Sequence, residues 1–165
     1  MPEPGTMKGA LVLKEAQTPK GVYGYGSQTG GEMALVLPYR KKLGVVQYLL
    51  RREFIPCWDS HMDTCGMAVL GSREELEALL AEALKRESGY TVTPEEIRSL
   101  GVCATDRYTD TTCFLYAVDL SRHSPGEEKL EISEELTFWG TAEDILESVD
   151  SQLIACYAKA QYLVL

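Results

Sequence analysis

The sequence predicts an α+β fold in which a mixed β-sheet lies between helices. Three observations carry this. Short runs of β-branched and apolar residues fill the chain before residue 71, one long amphipathic helix follows, and further strands then give way to terminal helices. At 165 residues, 45% of them hydrophobic, the chain can bury one core and is too short for two comfortable ones. One domain over residues 1–165 is therefore expected, with a disordered terminus at 1–6.

The elements follow in order. "MKGALVLKEAQ" opens with a short apolar run suited to a strand, and "TPKGVYGYGSQTGGE" reads as a glycine-rich turn or mobile loop. "MALVLPYR" and "LGVVQYLLRREF" read as strands bounded by Pro38, Lys41-Lys42 and Pro56, and "CGMAVLG" is a fourth apolar run. The helix at 72–88 has Ser72 as N-cap, Glu75 as its capping-box partner and Gly89 at its C-terminal end. Leu76, Leu80, Ala83, Leu84 and Glu87 fall at three- and four-residue spacings along one side of it. "TPEEIRSLG" is a short helix or turn capped by Thr93, and "VCATDRYTDTTCFLYAVDL" supplies one or two strands. "RHSPGEEK" is a loop, "LEISEELTFW" a strand, and Thr141 caps "AEDILESV". The last stretch reads as a helix with Leu153, Ala155, Cys156, Ala160 and Leu163 inward.

Charge narrows the partners. With 25 acidic against 16 basic side chains the net charge is −9, so a long phosphate backbone is repelled and nucleic acid is not an expected partner. Short anions remain compatible, because a divalent cation or a local arginine group reverses the field at one site. No apolar stretch approaches the ~20 residues of a membrane helix, and "MPEPGTMKGA" lacks the pattern of a signal peptide. The five cysteines are odd in number and form no C-x-x-C pair, which favours a reducing compartment. A cytoplasmic protein without membrane contact is expected. Cys57 with His61, or Cys103 with Cys113, would be nucleophile candidates; small buried thiols are the simpler reading.

The segment 68–90, "AVLGSREELEALLAEALKRESGY", resembles the Nudix box, G-x5-E-x7-R-E-U-x-E-E-x-G-U with U apolar. Aligning Gly89-Tyr90 with the final G-U puts Glu74 on the first glutamate, Leu84 on the internal U and Glu87 on the last glutamate. "TDTTCFLYAVDL" resembles the strand that follows the box, and "LTFWGTAEDILESVDSQLIACYAKA" resembles the family's tail. The resemblance spans residues 7–160 and implies a Nudix-like α/β/α sandwich. The box is degenerate: Ala68 replaces the opening glycine, Glu82-Ala83 the R-E pair, and Arg86-Glu87 the E-E pair.

The resemblance implies a nucleoside-diphosphate-linked small molecule as ligand, ADP-ribose-like or a nucleotide, with magnesium or manganese as cofactor. Glu87, Glu82 and Glu74 are then the candidate metal ligands, and Glu87, Glu82 and Glu135 the candidate catalytic groups. Glu131 and Glu134 stand beside Glu135 where many family members carry a general base. Glutamates four apart on a helix share a face and can hold an ion, but Ala83 has no oxygen. Glu82, five residues before Glu87, points ~140° away at ~100° per residue unless a bulge rotates it.

Arg86, Arg51 and Arg52 are the candidate phosphate-binding residues. Arg86 either pairs with Glu82 at i, i+4 or takes a diphosphate through its fork. Alternation sends one of Arg51 and Arg52 toward the cleft. Asp59, His61 and Asp63 in "WDSHMD" would face one way on an extended strand as substitute metal ligands, or belong to a polar loop, and Asp106 and Asp110 lie after the box. Arg40-Lys41-Lys42 reads as a solvated turn. Tyr23, Tyr25 and Trp139 would stack a base or simply pack.

Three functions stay open: a metal-dependent phosphoanhydride hydrolase, a nucleotide sensor that does no chemistry, and a structural or protein-interaction domain. Many family members pair as homodimers, but the sequence fixes no interface.

Overall fold

A computed structural model describes residues 11–55, 58–64, 68–126 and 136–165. Nine strands and three α-helices are described. β1 (Leu11–Thr18) and β2 (Gly21–Gln28) form a separate antiparallel hairpin. The main sheet contains β3 (Glu32–Lys42), β4 (Val45–Ile55), β5 (Ser60–Thr64), β6 (Ala68–Gly71), β7 (Arg98–Ala104), β8 (Thr112–Asp119) and β9 (Leu136–Gly140). The helices are α1 (Leu76–Ser88), α2 (Ala142–Glu147) and α3 (Ser151–Leu163).

The sheet order is β5-β4-β3-β8-β7, with β6 added on β3 and β9 on β4. β3 and β8 run parallel, from Met33↔Cys113 to Tyr39↔Asp119, and the remaining pairs are antiparallel. A strand buried on both faces needs an unbroken apolar run, and β3 has one from Ala34 to Tyr39. Its odd-numbered members, Leu35, Leu37 and Tyr39, pack with Ile145, Leu153, Cys156 and Ala160 of α2 and α3. Its even-numbered Ala34 and Val36 pack with Leu76, Leu80 and Leu84 of α1. The period of two thus sorts one strand between two helical layers, and the fold is an α/β/α sandwich with a mixed sheet between helices.

Several expectations are corrected. The glycine-rich segment is not a loop: Gly21–Gln28 is β2, in full register with β1 from Leu11↔Gln28 to Thr18↔Gly21. The backbone of Gly26 ties this hairpin to the main body, donating to Tyr108 O at 2.7 Å and accepting from Asp110 N at 2.9 Å. Pro38 does not bound a strand, because β3 runs through it and ends at Lys42; the turn that follows is Leu43-Gly44, at φ 51° and 79°. Ser72 makes no backbone cap. Its hydroxyl donates to Glu75 Oε2 at 2.7 Å, Arg73–Glu75 form a tighter 3₁₀ turn, and α1 begins at Leu76. Leu163 is 59% exposed, not inward.

Other terminators hold as the sequence implies. Gly89 closes α1 in the left-handed region at φ 77°, its N–H donating to Lys85 O at 2.9 Å. Thr141 and Asp144 form a capping box at the start of α2. The side chain of Asp150 accepts from Gln152 N at 2.9 Å and Leu153 N at 3.3 Å, fixing the entry to α3. Among the described residues, no helix is long and apolar enough to cross a membrane.

Candidate functional site

Helix periodicity decides which side chains of α1 reach the sheet. Leu76, Leu80 and Leu84 are fully buried, Ala83 is 1% exposed, and one turn beyond Ala83 the same face carries Glu87. Strand alternation decides the opposite wall. Arg51 of β4 points to α1, and its Nη1 lies 2.8 Å from Glu87 Oε2. The neighbouring Arg52 points elsewhere and grips Asp63 of β5 through two bonds, Nε–Oδ1 at 2.8 Å and Nη2–Oδ2 at 3.0 Å.

Glu87 is held from both sides. Arg86 Nη2 stands 3.3 Å from its Oε1, on the solvent side, so Arg86 pairs with its chain neighbour rather than with Glu82. Both Arg51 and Glu87 side chains are mostly enclosed, at 15% and 16% exposure, whereas Arg86 is 66% exposed. Burial pushes the Glu87 carboxyl above its ordinary value, against the pull of both guanidinium groups. Glu87 Oε2 is sealed from solvent and lies at ion-pairing distance from Arg51.

A cavity of about 510 Å³ opens beside this pair, lined among others by Arg51, Glu53, Trp58, Glu87 and Asp150. Glu53 and Asp150 were not singled out from the sequence. Glu53 carried a signal, since it lies two residues beyond Arg51 on one strand and therefore shares its face. Asp150 carried none, because the fold alone brings the start of α3 to this wall. Burial pushes the Asp150 carboxyl up, opposed by the N–H groups of Leu153 and Gln152 that it caps.

The remaining candidates are placed as follows. Glu82 is exposed, and Glu74 is exposed in the 3₁₀ turn ahead of α1; neither lines this cavity. Glu135, with Glu131 and Glu134, lies outside the described residues, as does Cys57. Of the "WDSHMD" stretch, Ser60–Asp63 lie in β5 while Asp59 sits before it in a turn at φ 48°, so Asp59 is not in line with His61 and Asp63 on one strand. Asp63 is taken by Arg52, and His61 stacks edge-on against Phe54 with centroids 5.3 Å apart. Asp110 accepts from Ser27 Oγ at 2.9 Å and Asp106 from Tyr108 N. Trp139 carries the Arg40 guanidinium 4.0 Å from its ring centre and packs edge-on with Tyr90, so it is walled in. Tyr23 and Tyr25 lie on the β2 hairpin. Cys103 and Cys113 are cross-strand partners; burial pushes the Cys113 thiol up to about 12, far from a nucleophile's range.

The donor set tests the implied metal. Magnesium takes near-octahedral oxygen ligands, with one or two carboxylates supplied by the protein. Of the α1 glutamates only Glu87 lines this cavity, and each of its oxygens already faces a guanidinium. Among the described residues, no group of three His, Cys, Asp or Glu side chains is arranged to hold a metal ion. The residues present on α1 do not fit the ion.

No family model matches the sequence, and no curated protein does. Solved structures do match. One described as an ADP compounds hydrolase superposes with a TM-score of 0.66 at 13% identity, over 95% of this chain and 86% of that one. An Ap4A hydrolase of C. elegans gives 0.54 at 15% identity, over 82% of this chain and 98% of that one. A complex between the C-terminal domain of mouse MUTYH and human PCNA gives 0.58 at 15% identity, over 79% and 87%. At such identities the likeness establishes the fold, and the fold by itself selects no activity. The chain has the Nudix-like sandwich, with a cavity where β4 meets the end of α1 and the start of α3.

Proposed function

We propose that the protein binds a nucleoside-diphosphate-linked small molecule at the Arg51–Glu87–Arg86 site, without a metal ion on α1 and without hydrolysing its ligand. The observation that carries this is the clasp itself: two guanidinium groups occupy the last box glutamate, and the position one turn earlier is Ala83. A guanidinium offers a planar fork that matches phosphate oxygens, so Arg51 and Arg86 can take a diphosphate by exchanging one anion for another. Glu87 is then a placeholder. Its carboxyl is already raised by burial, so a ligand that draws the arginines away raises it further, and the displaced group takes up a proton rather than remaining a buried charge. Activation of water by a metal has no support from this helix.

Calorimetric titration with ADP-ribose, with and without magnesium, tests the reading. The expected result is the same affinity in both conditions, proton uptake on binding, and at least about tenfold weakening in Arg51→Ala, the worth of one charge-assisted contact. Binding that requires magnesium, together with phosphoanhydride cleavage, would overturn it in favour of a hydrolase. Absence of binding under both conditions would leave a structural or interaction domain.

A further inference from the structure

A second cavity, of about 530 Å³, lies at the other end of the molecule, where the parallel strands β3 and β8 terminate. Its wall includes Tyr39, Lys41, Arg98, Asp119, Arg122 and His123. The first cavity touches Asp150, Ser151 and Gln152 at the start of α3, and this one touches Val164 just past its end. The 13 residues of α3 separate the two by about 20 Å at 1.5 Å per residue.

The register explains why these groups converge. Tyr39 pairs with Asp119, and Arg98 of β7 pairs with Ala117, two residues earlier on β8. Cross-strand partners share a face, and so do residues two apart, so Tyr39, Lys41, Arg98 and Asp119 project to the same side of the sheet. The turn after β8 then brings Arg122 and His123 over the strand ends.

Two of the three acidic groups here already accept hydrogen bonds. Glu96 accepts from Thr93 N at 2.8 Å and lies 2.9 Å from His123 Nε2. Asp119 accepts from Ser121 N at 2.8 Å and from Ser121 Oγ at 2.5 Å. Glu95 remains, exposed to solvent. The donors are not spent. Among the described residues, Lys41, Arg98 and Arg122 take part in no ion pair. Tyr39 is only 5% exposed, its side chain packed in the core against α2 and α3 while it also lines the cavity. Asp119 and Arg98 stand beside it on the cavity wall.

We infer that this cavity binds the phosphoryl group of a small phosphorylated molecule, with Tyr39, Arg98, Arg122 and Lys41 as donors. Four donors of this kind, two of them forked, exceed what the two oxygens of a carboxylate can accept and suit a tetrahedral phosphate. The volume exceeds one phosphate group severalfold, which leaves space for the rest of the molecule. The inference is independent of the Arg51 site.

Inorganic phosphate is the probe, followed by amide chemical shifts of isotope-labelled protein. Saturable shifts are expected at Lys41, Arg98 and residues 119–123. Arg98→Gln should weaken binding about tenfold or more, the worth of a charge-assisted bond, and Tyr39→Phe should weaken it by a factor of about three to ten. Both variants are surveyed for retained fold in the same spectra, and Arg51→Ala should leave these shifts unchanged. Shifts confined to the Arg51–Glu87 end, an affinity indifferent to Arg98→Gln, or equal binding of acetate would each overturn the inference.

Discussion

Removing Arg51 should cost far more than neutralising its partner, and the cost should depend on pH. The two side chains are 15% and 16% exposed and their charged atoms 2.8 Å apart. Unit charges about 4 Å apart attract by about 4 kcal/mol at an effective dielectric constant of about 20, before desolvation is counted. For Glu87 desolvation is the larger quantity, because its carboxyl lies above its ordinary 4.5 despite two adjacent guanidinium groups. Glu87→Gln relieves that burden while keeping an acceptor oxygen, so its stability change at pH 7 should stay within about 1 kcal/mol. Arg51→Met leaves a mostly buried carboxylate facing only the exposed Arg86. Its cost should be about 2 kcal/mol, between the values for exposed and fully buried pairs, or about 4–8 °C in Tm for a chain of this length. A group whose folded pKa is raised contributes stability below its unfolded value and loses it as pH rises through the folded value. Arg51→Met raises Glu87 further, so its deficit should shrink between pH 7 and about pH 5, while Glu87→Gln lacks this titration altogether. Urea unfolding of the three proteins at both pH values measures this. Equal damage from both substitutions at pH 7, or a deficit in Arg51→Met that does not move with pH, would show that attraction rather than burial governs the site.

Leu80→Ala should lower unfolding free energy by about 2–5 kcal/mol, since Leu80 is fully buried between α1 and the sheet; a loss below about 1 kcal/mol would mean that α1 does not dock as described. Gly31→Ala should destabilise by about 1–3 kcal/mol, because Gly31 sits at φ 133° and a Cβ there would lie 2.6 Å from the carbonyl oxygen of Gly71. Gly21→Ala is the control, with φ 122° but open space around the added carbon, and it should cost less in the same unfolding assay.

The parts of the fold that were legible in the sequence are those fixed by local chemistry. Leucines at helical spacing, with a glycine able to adopt φ 77°, specify α1 and its end within a few residues of each other. The Thr141–Asp144 box is likewise complete within four residues. What misled was decided at long range. Glycine disfavours a strand interior, so Gly21–Gln28 reads as a loop; it becomes β2 because all eight residues pair with β1 and Gly26 binds the backbone beyond β7. The motif from Ser72 to Glu75 is a capping signature, yet the serine hydroxyl binds the glutamate carboxylate directly, and the backbone tightens into a 3₁₀ turn instead. In the site, alternation correctly separates Arg51 from Arg52 but cannot say which faces α1, because that parity depends on how β4 pairs with β3 and β9.

The charge arithmetic of the box connects these observations to function. A box with glutamate at positions 83, 86 and 87 would concentrate three negative charges on one helix end, which is stable only with a divalent cation to neutralise them. Here the three positions are Ala83, Arg86 and Glu87, which sum to zero. Arg51 then adds a positive charge from the opposite wall, within 2.8 Å of Glu87. Neutralisation that a metal ion would supply is thus built from side chains, and the surplus is positive at the clasp. In the proposed reading, a clasp of that sign favours phosphate oxygens over a cation, which sets binding apart from metal-assisted hydrolysis. Glu53 and Asp150 line the same cavity as Arg51 and Glu87, so in that reading an anion gains only where the two guanidinium groups can fork around it.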